Sequence, residues 1–177
     1  MPAALLKQLN ELVASQSLDA EEGARFTPVT EAQLNEAEGR VGPLPKSYRA
    51  FVLEHGRFEI GADPAFQLVE PEDIRTMLDE LMSMHDAEDA AGVADSIGIE
   101  QDVIEAMAHG VIIAMEGHED YWVFDTRTRD AQGECRVIGC LTDDLELEYF
   151  AKKSSSKGRA FEAFLSQEIQ RMIDDLG

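Results

Sequence analysis

Residues 30 to 61 constrain the fold of this chain more than any other stretch. Thr30 and Gln33 have the spacing of a capping box, which predicts the start of a helix. The Gly-Pro-Leu-Pro run at residues 42 to 45 ends that helix, and its second proline suits the first turn of another. Gly56 then ends the second helix before an apolar strand. The stretch contains no nucleophile, base or metal cluster, so it indicates a framework that presents a surface and favours binding over catalysis.

Apolar residues at helical spacing predict four further helices. These fall at residues 3–15, 71–85, 99–109 and 161–173. A polar segment at residues 16–29 follows the first helix and should be a loop. Pro71 should begin the helix at residues 71–85, because proline is tolerated at the first position of a helix. A looser segment is expected at residues 92–98.

Strands are concentrated in the second half of the chain. Short apolar or alternating runs between turn residues predict strands at residues 58–60, 65–69, 111–115, 121–125 and 135–140, with 145–151 as a candidate last edge strand. This order predicts an α+β fold in which helices pack mainly on one face of an antiparallel sheet of about four to six strands. We expect one domain over residues 1–177. It should have a helical N-terminal extension over about residues 1–29 and an acidic helical segment over about residues 70–108.

The charge of the chain limits its partners. The 177 residues include 36 acidic and 15 basic side chains, which give a formal net charge of −21. This charge argues against nucleic acid and anionic membranes as partners, because phosphate binding depends on lysine and arginine. A basic protein would instead be attracted, and its association would be accelerated. Solubility alone also explains an acidic composition, so both explanations stay open.

The N-terminus and the cysteines indicate a reducing compartment. The first residues lack the features of a signal peptide, and no stretch reaches the length of a membrane span, so we expect a cytoplasmic protein. Cys135 and Cys140 are too few for a disulfide framework. We expect them to be reduced packing residues.

One stretch is far more acidic than the rest. From Glu70 to Glu105 the chain has 12 acidic residues and a single basic residue, Arg75. Because the apolar stripes of the predicted helices should face the core, these acids should project outward as a surface for a basic partner. The candidate partner-binding residues are Glu72, Asp73, Asp79, Glu80, Asp86, Glu88 and Asp89, with Glu116 and Glu119 as secondary candidates. A solvated helix face is the alternative interpretation. Tyr121 would be a further anchor if it were exposed.

A second acidic turn could in principle hold a cation. Glu116, His118, Glu119 and Asp120 combine carboxylates with an imidazole. Their spacing matches neither an EF-hand loop nor a His-Glu-x-x-His helix, so a solvated hairpin turn is the favoured interpretation. We assign no metal, no cofactor and no catalytic residue.

Three blocks of the sequence resemble the SMI1/KNR4 (SUKH) superfamily. The first block is the helix, the Gly-Pro-Leu-Pro break, two aromatic residues and a glycine; the second is the apolar and aromatic strand pair at residues 111–125; the third is the closing Phe-Glu-Ala-Phe-Leu helix. The residues that carry the resemblance are Leu44, Pro45, Tyr48, Phe51, Gly56, Trp122, Phe124, Asp125, Phe161 and Phe164. The chain departs from the usual pattern at Glu54–Arg57 and at Gly117–Asp120, and its acidic segment is longer than that of a minimal member.

The resemblance implies a SUKH-like fold and a role in protein binding. Bacterial members are regarded as immunity proteins that neutralise toxins, many of which are nucleases or deaminases, and fungal members act as regulatory hubs. We therefore expect a non-catalytic immunity protein whose partner is a basic toxin domain. A regulatory scaffold that binds an endogenous protein is the alternative, and a metal-dependent hydrolase is a remote third. The oligomeric state stays open.

Overall fold

The computed structural model describes residues 4, 6–8, 11, 24–60, 66–117, 120–141, 144–153 and 158–176. The described residues of the predicted first helix are Ala4, Leu6, Lys7, Gln8 and Glu11, and they are all helical. Leu6 is buried in the core. The rest of that predicted helix lies outside the described residues.

The strands of the described residues form one antiparallel sheet whose spatial order follows the chain. They are β1 (Ala24–Thr27), β2 (Arg57–Ile60), β3 (Phe66–Leu68), β4 (Gly110–Glu116), β5 (Asp120–Asp125), β6 (Arg136–Leu141) and β7 (Arg159–Ala160). The α+β class and the antiparallel meander are thus confirmed. The predicted range of four to six strands was too low, because β1 falls in the expected loop and β7 has only two residues.

Besides the helical residues Ala4, Leu6, Lys7, Gln8 and Glu11, seven α-helices accompany the sheet in the described part of the chain. They are α1 (Glu31–Val41), α2 (Lys46–His55), α3 (Met77–Met84), α4 (Ala90–Ile97), α5 (Gln101–Ala106), α6 (Asp144–Lys153) and α7 (Phe161–Leu176). Short 3-10 turns occupy Pro71–Asp73, Met107–His109 and Thr126–Thr128. The predicted capping box is present, since Gln33 N–H donates to the Thr30 side chain and Thr30 N–H donates to the Gln33 side chain.

Three local predictions were wrong. The expected helix at 71–85 is split, because Thr76 leaves helical geometry to bridge Val111 beside the short strand β3. Residues 92–97 of the expected loose segment belong to helix α4, and Gly98 is the C-cap of that helix. The candidate edge strand at 145–151 is helix α6, in which Leu147 and Phe150 are buried at helical spacing. A short apolar run of this kind fits a strand or a helix equally well.

Helices cover both faces of the sheet, whereas the sequence indicated mainly one. On one face the Phe124 ring meets those of Tyr48 and Phe161 at 5.6 and 5.9 Å, so α2 and α7 pack there. The neighbouring residue Val123 points to the opposite face, because successive side chains of a strand alternate. There it lies beside Phe150 of α6 and Met77 of α3, which converge over Gly110. Strand β5 is therefore packed on both sides.

Gly56 joins α2 to the sheet by a backbone approach that no other residue permits. Its φ of 87° and ψ of 176° lie in a region that is essentially restricted to glycine. A Cβ atom at this position would lie 2.5 Å from the carbonyl oxygen of Thr27. Thr27 pairs with Arg57 in the β1–β2 ladder, so the chain can turn directly from α2 into β2 only without a side chain here.

Three glycine-to-alanine variants should separate the effects of helix propensity, backbone strain and the close contact with Thr27 on stability. Gly39→Ala, which is in α1 and has free space around it, should stabilise the protein by roughly 0.5–1 kcal/mol. Gly42 has a φ of 81° and free space around it, so Gly42→Ala introduces backbone strain without a clash. It should lower the free energy of unfolding by about 1–2 kcal/mol. Gly56→Ala combines strain with the clash and should cost more than Gly42→Ala. Urea unfolding of the three variants measures the order. Equal losses at positions 42 and 56 would contradict the role of the Thr27 contact.

Candidate functional site

The first two candidate acids lie in the 3-10 turn Pro71–Asp73. Arg40 of α1 donates hydrogen bonds to the carbonyl oxygens of Pro71 and Glu72, at 2.6 and 3.0 Å. These bonds hold the turn against α1. The side chains of Glu72 and Asp73 are exposed and have no hydrogen-bond or ion-pair partner among the described residues.

The next acids surround the link between α3 and α4. Asp86 and Glu88 are exposed, and neither side chain has a partner in the part of the chain that the structure describes. Asp86 has a φ of 50°, a conformation that aspartate tolerates better than most residues. The link thus presents carboxylates to solvent at the end of α3.

Two exposed acids have a structural role as well. Asp79 accepts hydrogen bonds from the N–H and hydroxyl groups of Thr76, at 3.0 and 2.6 Å, and so completes a capping box on α3. Asp89 is the N-cap of α4 and accepts from the N–H of Gly92 at 2.9 Å. A carboxylate at a helix N-terminus satisfies free N–H groups and the helix dipole. These two acids are therefore needed by the fold, whatever binds them.

Glu80 was predicted to project outward, and this was wrong. Its side chain is buried, with 7% of the residue exposed. The Tyr121 hydroxyl donates to its Oε1 atom at 2.7 Å, and Arg75 forms an ion pair with its Oε2 atom. The buried stripe of α3 consists of Met77, Glu80 and Leu81, which share one face because they are three and four residues apart. Tyr121 is buried by the same contact and is not an exposed anchor.

The secondary candidates contribute little to a free acidic surface. Glu116 at the end of β4 pairs with Arg171 of α7 at 2.7 Å, and the same arginine bonds to the buried carboxylate of Glu168 at 3.1 Å. These neighbouring carboxylates raise the pKa of Arg171 although partial burial lowers it. Glu119 lies outside the described residues.

The sequence prediction missed other exposed groups in the same region. Asp95, Glu100, Asp102 and Glu105 lie on or beside α4 and α5 and are exposed. Their signal was already in the count of 12 acids between Glu70 and Glu105, and they belong with the candidates. Met84 at the end of α3 is half exposed, with 50% of the residue in solvent, and no sequence signal distinguished it from core methionines.

The described arginines form no ion pair with the exposed acids of this stretch, although Arg40 lies against the turn at Pro71–Asp73 through its bonds to carbonyl oxygens. All ten arginines form a hydrogen bond or an ion pair within the protein. Arg49, for example, joins α2 to Glu38 of α1, and Arg129 donates to the carbonyl oxygen of Pro43. Within the acidic stretch, the single arginine is held by buried Glu80. The exposed acids of the stretch therefore remain uncompensated by described arginines.

The sequence matches the model of the SMI1 / KNR4 family (SUKH-1) over residues 28–166, well over half of the chain. The chain belongs to this family. No match was found among curated proteins. Membership in the SMI1/KNR4 family supports a non-catalytic binding module, since members are commonly immunity proteins.

The family-signature residues build the scaffold rather than the surface. Leu44, Pro45, Tyr48, Phe51, Gly56, Phe124, Asp125, Phe161 and Phe164 are buried, and Trp122 is partly buried. Tyr48 contacts Phe161 edge to face at 5.3 Å, and burial raises the pKa of its hydroxyl far above the usual range. Asp125 is held by Arg127, which also donates to carbonyl oxygens of α6. These residues thus join the sheet to its helices and lie in the core rather than at the surface.

The described residues contain little that would support catalysis. No group of three or more His, Cys, Asp or Glu side chains in the described ranges is arranged to hold a metal ion. Cys135 and Cys140 are both buried, and no disulfide joins them. Burial raises the pKa of the Cys135 thiol, which disfavours the thiolate that nucleophilic or redox chemistry needs. None of the described helices is long and apolar enough to cross a membrane.

The different roles of Glu80 and Glu72 can be tested by stability. Glu80→Ala leaves the Tyr121 hydroxyl and Arg75 without their shared carboxylate, and it should cost about 2–3 kcal/mol. Glu72→Ala removes an exposed side chain without partners and should change stability by less than about 0.5 kcal/mol. Urea unfolding of both variants checks this. If Glu80→Ala lowered stability no more than Glu72→Ala, the contacts of Glu80 with Tyr121 and Arg75 would contribute nothing to the fold.

Proposed function

We propose that this member of the SMI1/KNR4 family is an immunity-type protein that binds a basic domain of a cognate bacterial toxin. One observation carries the proposal: the exposed carboxylates of Glu72, Asp73, Asp86 and Glu88 have no partner among the described residues. They lie in a stretch whose single arginine pairs with a buried glutamate. The surface therefore offers negative charge that the fold does not use.

A toxin that acts on nucleic acid would suit such a surface. Enzymes of this kind hold phosphate groups with lysine and arginine, so their substrate channel is basic. A carboxylate-rich face can occupy that channel and compete with the nucleic acid for the same cations. Complementary charge also accelerates the encounter, which favours rapid neutralisation of a toxin. A nuclease or a deaminase is therefore the partner class that we propose.

Asp79 and Asp89 take part through geometry as well as charge. Each caps a helix, so its carboxylate is held in place rather than free to rotate. A fixed carboxylate loses less conformational entropy when a partner cation binds it. The binding surface would thus combine fixed acids at the starts of α3 and α4 with freer acids in the turns beside them.

A pair of matched quadruple variants tests the surface. The test variant is Glu72→Gln, Asp73→Asn, Asp86→Asn and Glu88→Gln, in which asparagine at position 86 still tolerates the positive φ. The control variant is Glu36→Gln, Glu54→Gln, Glu162→Gln and Asp174→Asn, which removes the same charge from exposed positions on other helices. Tagged wild type and both variants are used to capture partners from a lysate of the source organism, with identification by mass spectrometry. Affinity for the captured protein is then measured at several salt concentrations.

We expect the wild type to capture a basic toxin domain that high salt releases. The test variant should bind it about tenfold more weakly or worse, mostly through a slower association rate, and its salt dependence should be reduced. The control variant should retain most of the affinity. Both variants lose the same net charge, but only the test variant loses it from the proposed binding surface. Equal losses in the two variants would contradict the assigned surface. Capture of an endogenous regulator that survives high salt would favour the scaffold alternative instead.

A further inference from the structure

A cleft of about 510 Å³ lies beside the edge strand β7, outside the acidic stretch. Its walls include Trp122 of β5, Gly139 of β6, Phe164 of α7 and Arg159 of β7. Trp122 pairs directly with Gly139 across the sheet, and Arg159 pairs with Val137. The volume is within the range of sites for small ligands, which are about 300–1,000 Å³ and mostly apolar with a few polar groups.

The apolar wall of the cleft is built around the indole ring of Trp122. A Cβ atom at position 139 would lie 3.3 Å from this ring, so glycine lets the indole lie against the backbone of β6. The ring of Phe164 lies 4.9 Å from that of Trp122, centre to centre. The indole N–H is buried and has no hydrogen-bond partner among the described residues, so this donor is closed off from the cleft and the partly buried indole offers a ligand an apolar wall.

Arg159 supplies a positive charge that has no counter-ion among the described residues. One of its terminal nitrogens donates to the amide oxygen of Gln167 at 2.6 Å. A guanidinium has five N–H donors, so this bond leaves others for a ligand. Seven of the ten arginines pair with a carboxylate; Arg129 and Arg136 bond to carbonyl oxygens, and Arg159 has only the amide oxygen of Gln167 among the described residues. In a chain of charge −21, such an arginine on the wall of a cleft needs an explanation.

We propose that this cleft binds a carboxylate carried on an apolar, preferably aromatic, body. The apolar body packs against the accessible part of the Trp122 indole, whose ring contacts the buried ring of Phe164, and the carboxylate pairs with the guanidinium of Arg159. The net negative charge of the protein opposes this at long range, but at physiological salt its influence falls off over about 8 Å, so the adjacent guanidinium dominates. A free organic acid and the C-terminal residue of a peptide share this chemistry. The proposal does not depend on the toxin partner.

The chain carries its own reporter for this site, since Trp122 is its single tryptophan. Phenylacetate is titrated into the whole protein at physiological salt while tryptophan fluorescence is recorded. Phenylacetamide, which has the same body without charge, is the matched ligand control. We expect a saturable change with phenylacetate at millimolar concentration and binding at least about tenfold weaker with phenylacetamide, because a charge-assisted bond to arginine is lost.

Two arginine variants complete the test. Arg159→Gln should weaken phenylacetate about tenfold, whereas Arg25→Gln should leave it unchanged, because that control removes the same charge from β1 at the opposite edge of the sheet. Unfolding curves of both variants check that the fold is retained. The comparison of phenylacetate with phenylacetamide uses only the wild-type protein and does not depend on the variants. Equal binding of acid and amide, or an unchanged affinity in Arg159→Gln, would overturn the proposal, and so would the absence of any saturable change with every carboxylate used.

A second pair of probes distinguishes a peptide C-terminus from a small organic acid as the source of the carboxylate. N-acetyl-glycyl-phenylalanine is compared with its C-terminal amide in the same assay. Binding of the free-acid peptide more tightly than phenylacetate would support a peptide C-terminus as the ligand. Weaker binding than phenylacetate would support a small organic acid. Either result supports the site, and neither depends on whether the acidic surface binds a toxin.

Discussion

Strand β5 is packed on both of its faces, and the helices of the molecule are joined through it. On one face Phe124 is enclosed by Tyr48 and Phe161, which brings α2 and α7 onto the sheet. On the other face Tyr121 donates its hydroxyl to Glu80 of α3. This second contact ties the start of the acidic helices to the sheet. The surface that carries the acids is thereby held by the same strand that carries the family signature.

Positive and negative side chains have different places in this fold. Arginines are used within the structure, where they hold carbonyl oxygens and carboxylates of separate elements together, as Arg40 does for the turn at Pro71. A planar guanidinium with several donors suits such contacts better than the point charge of lysine. Acids outnumber arginines, and those left over lie at the surface. The excess of negative charge in the chain is therefore carried by exposed carboxylates.

Features that depend on neighbouring residues could be predicted from the sequence. The Thr30–Gln33 capping box, the glycine stop at residue 56 and the meander of β4 to β6 each depend on local spacing. Features that depend on distant partners could not. Strand β1 has one large apolar residue, Phe26, and forms only because β2 pairs with it. Glu80 looked like any other acid of its helix, since its partner Tyr121 is 41 positions away in the chain. The cleft beside β7 likewise joins residues from separate strands.

Stability alone gives no reason for the acids that remain without partners. Asp79 and Asp89 cap helices, so the fold accounts for them, and Glu80 is part of a buried network. Glu72, Asp73, Asp86 and Glu88 form no such contact among the described residues, and like charges at close spacing destabilise rather than stabilise. Neutral polar residues would keep the surface solvated without this repulsion. A cationic partner would relieve it, and the binding that we propose would account for both the number of these acids and their position beside the two capped helices.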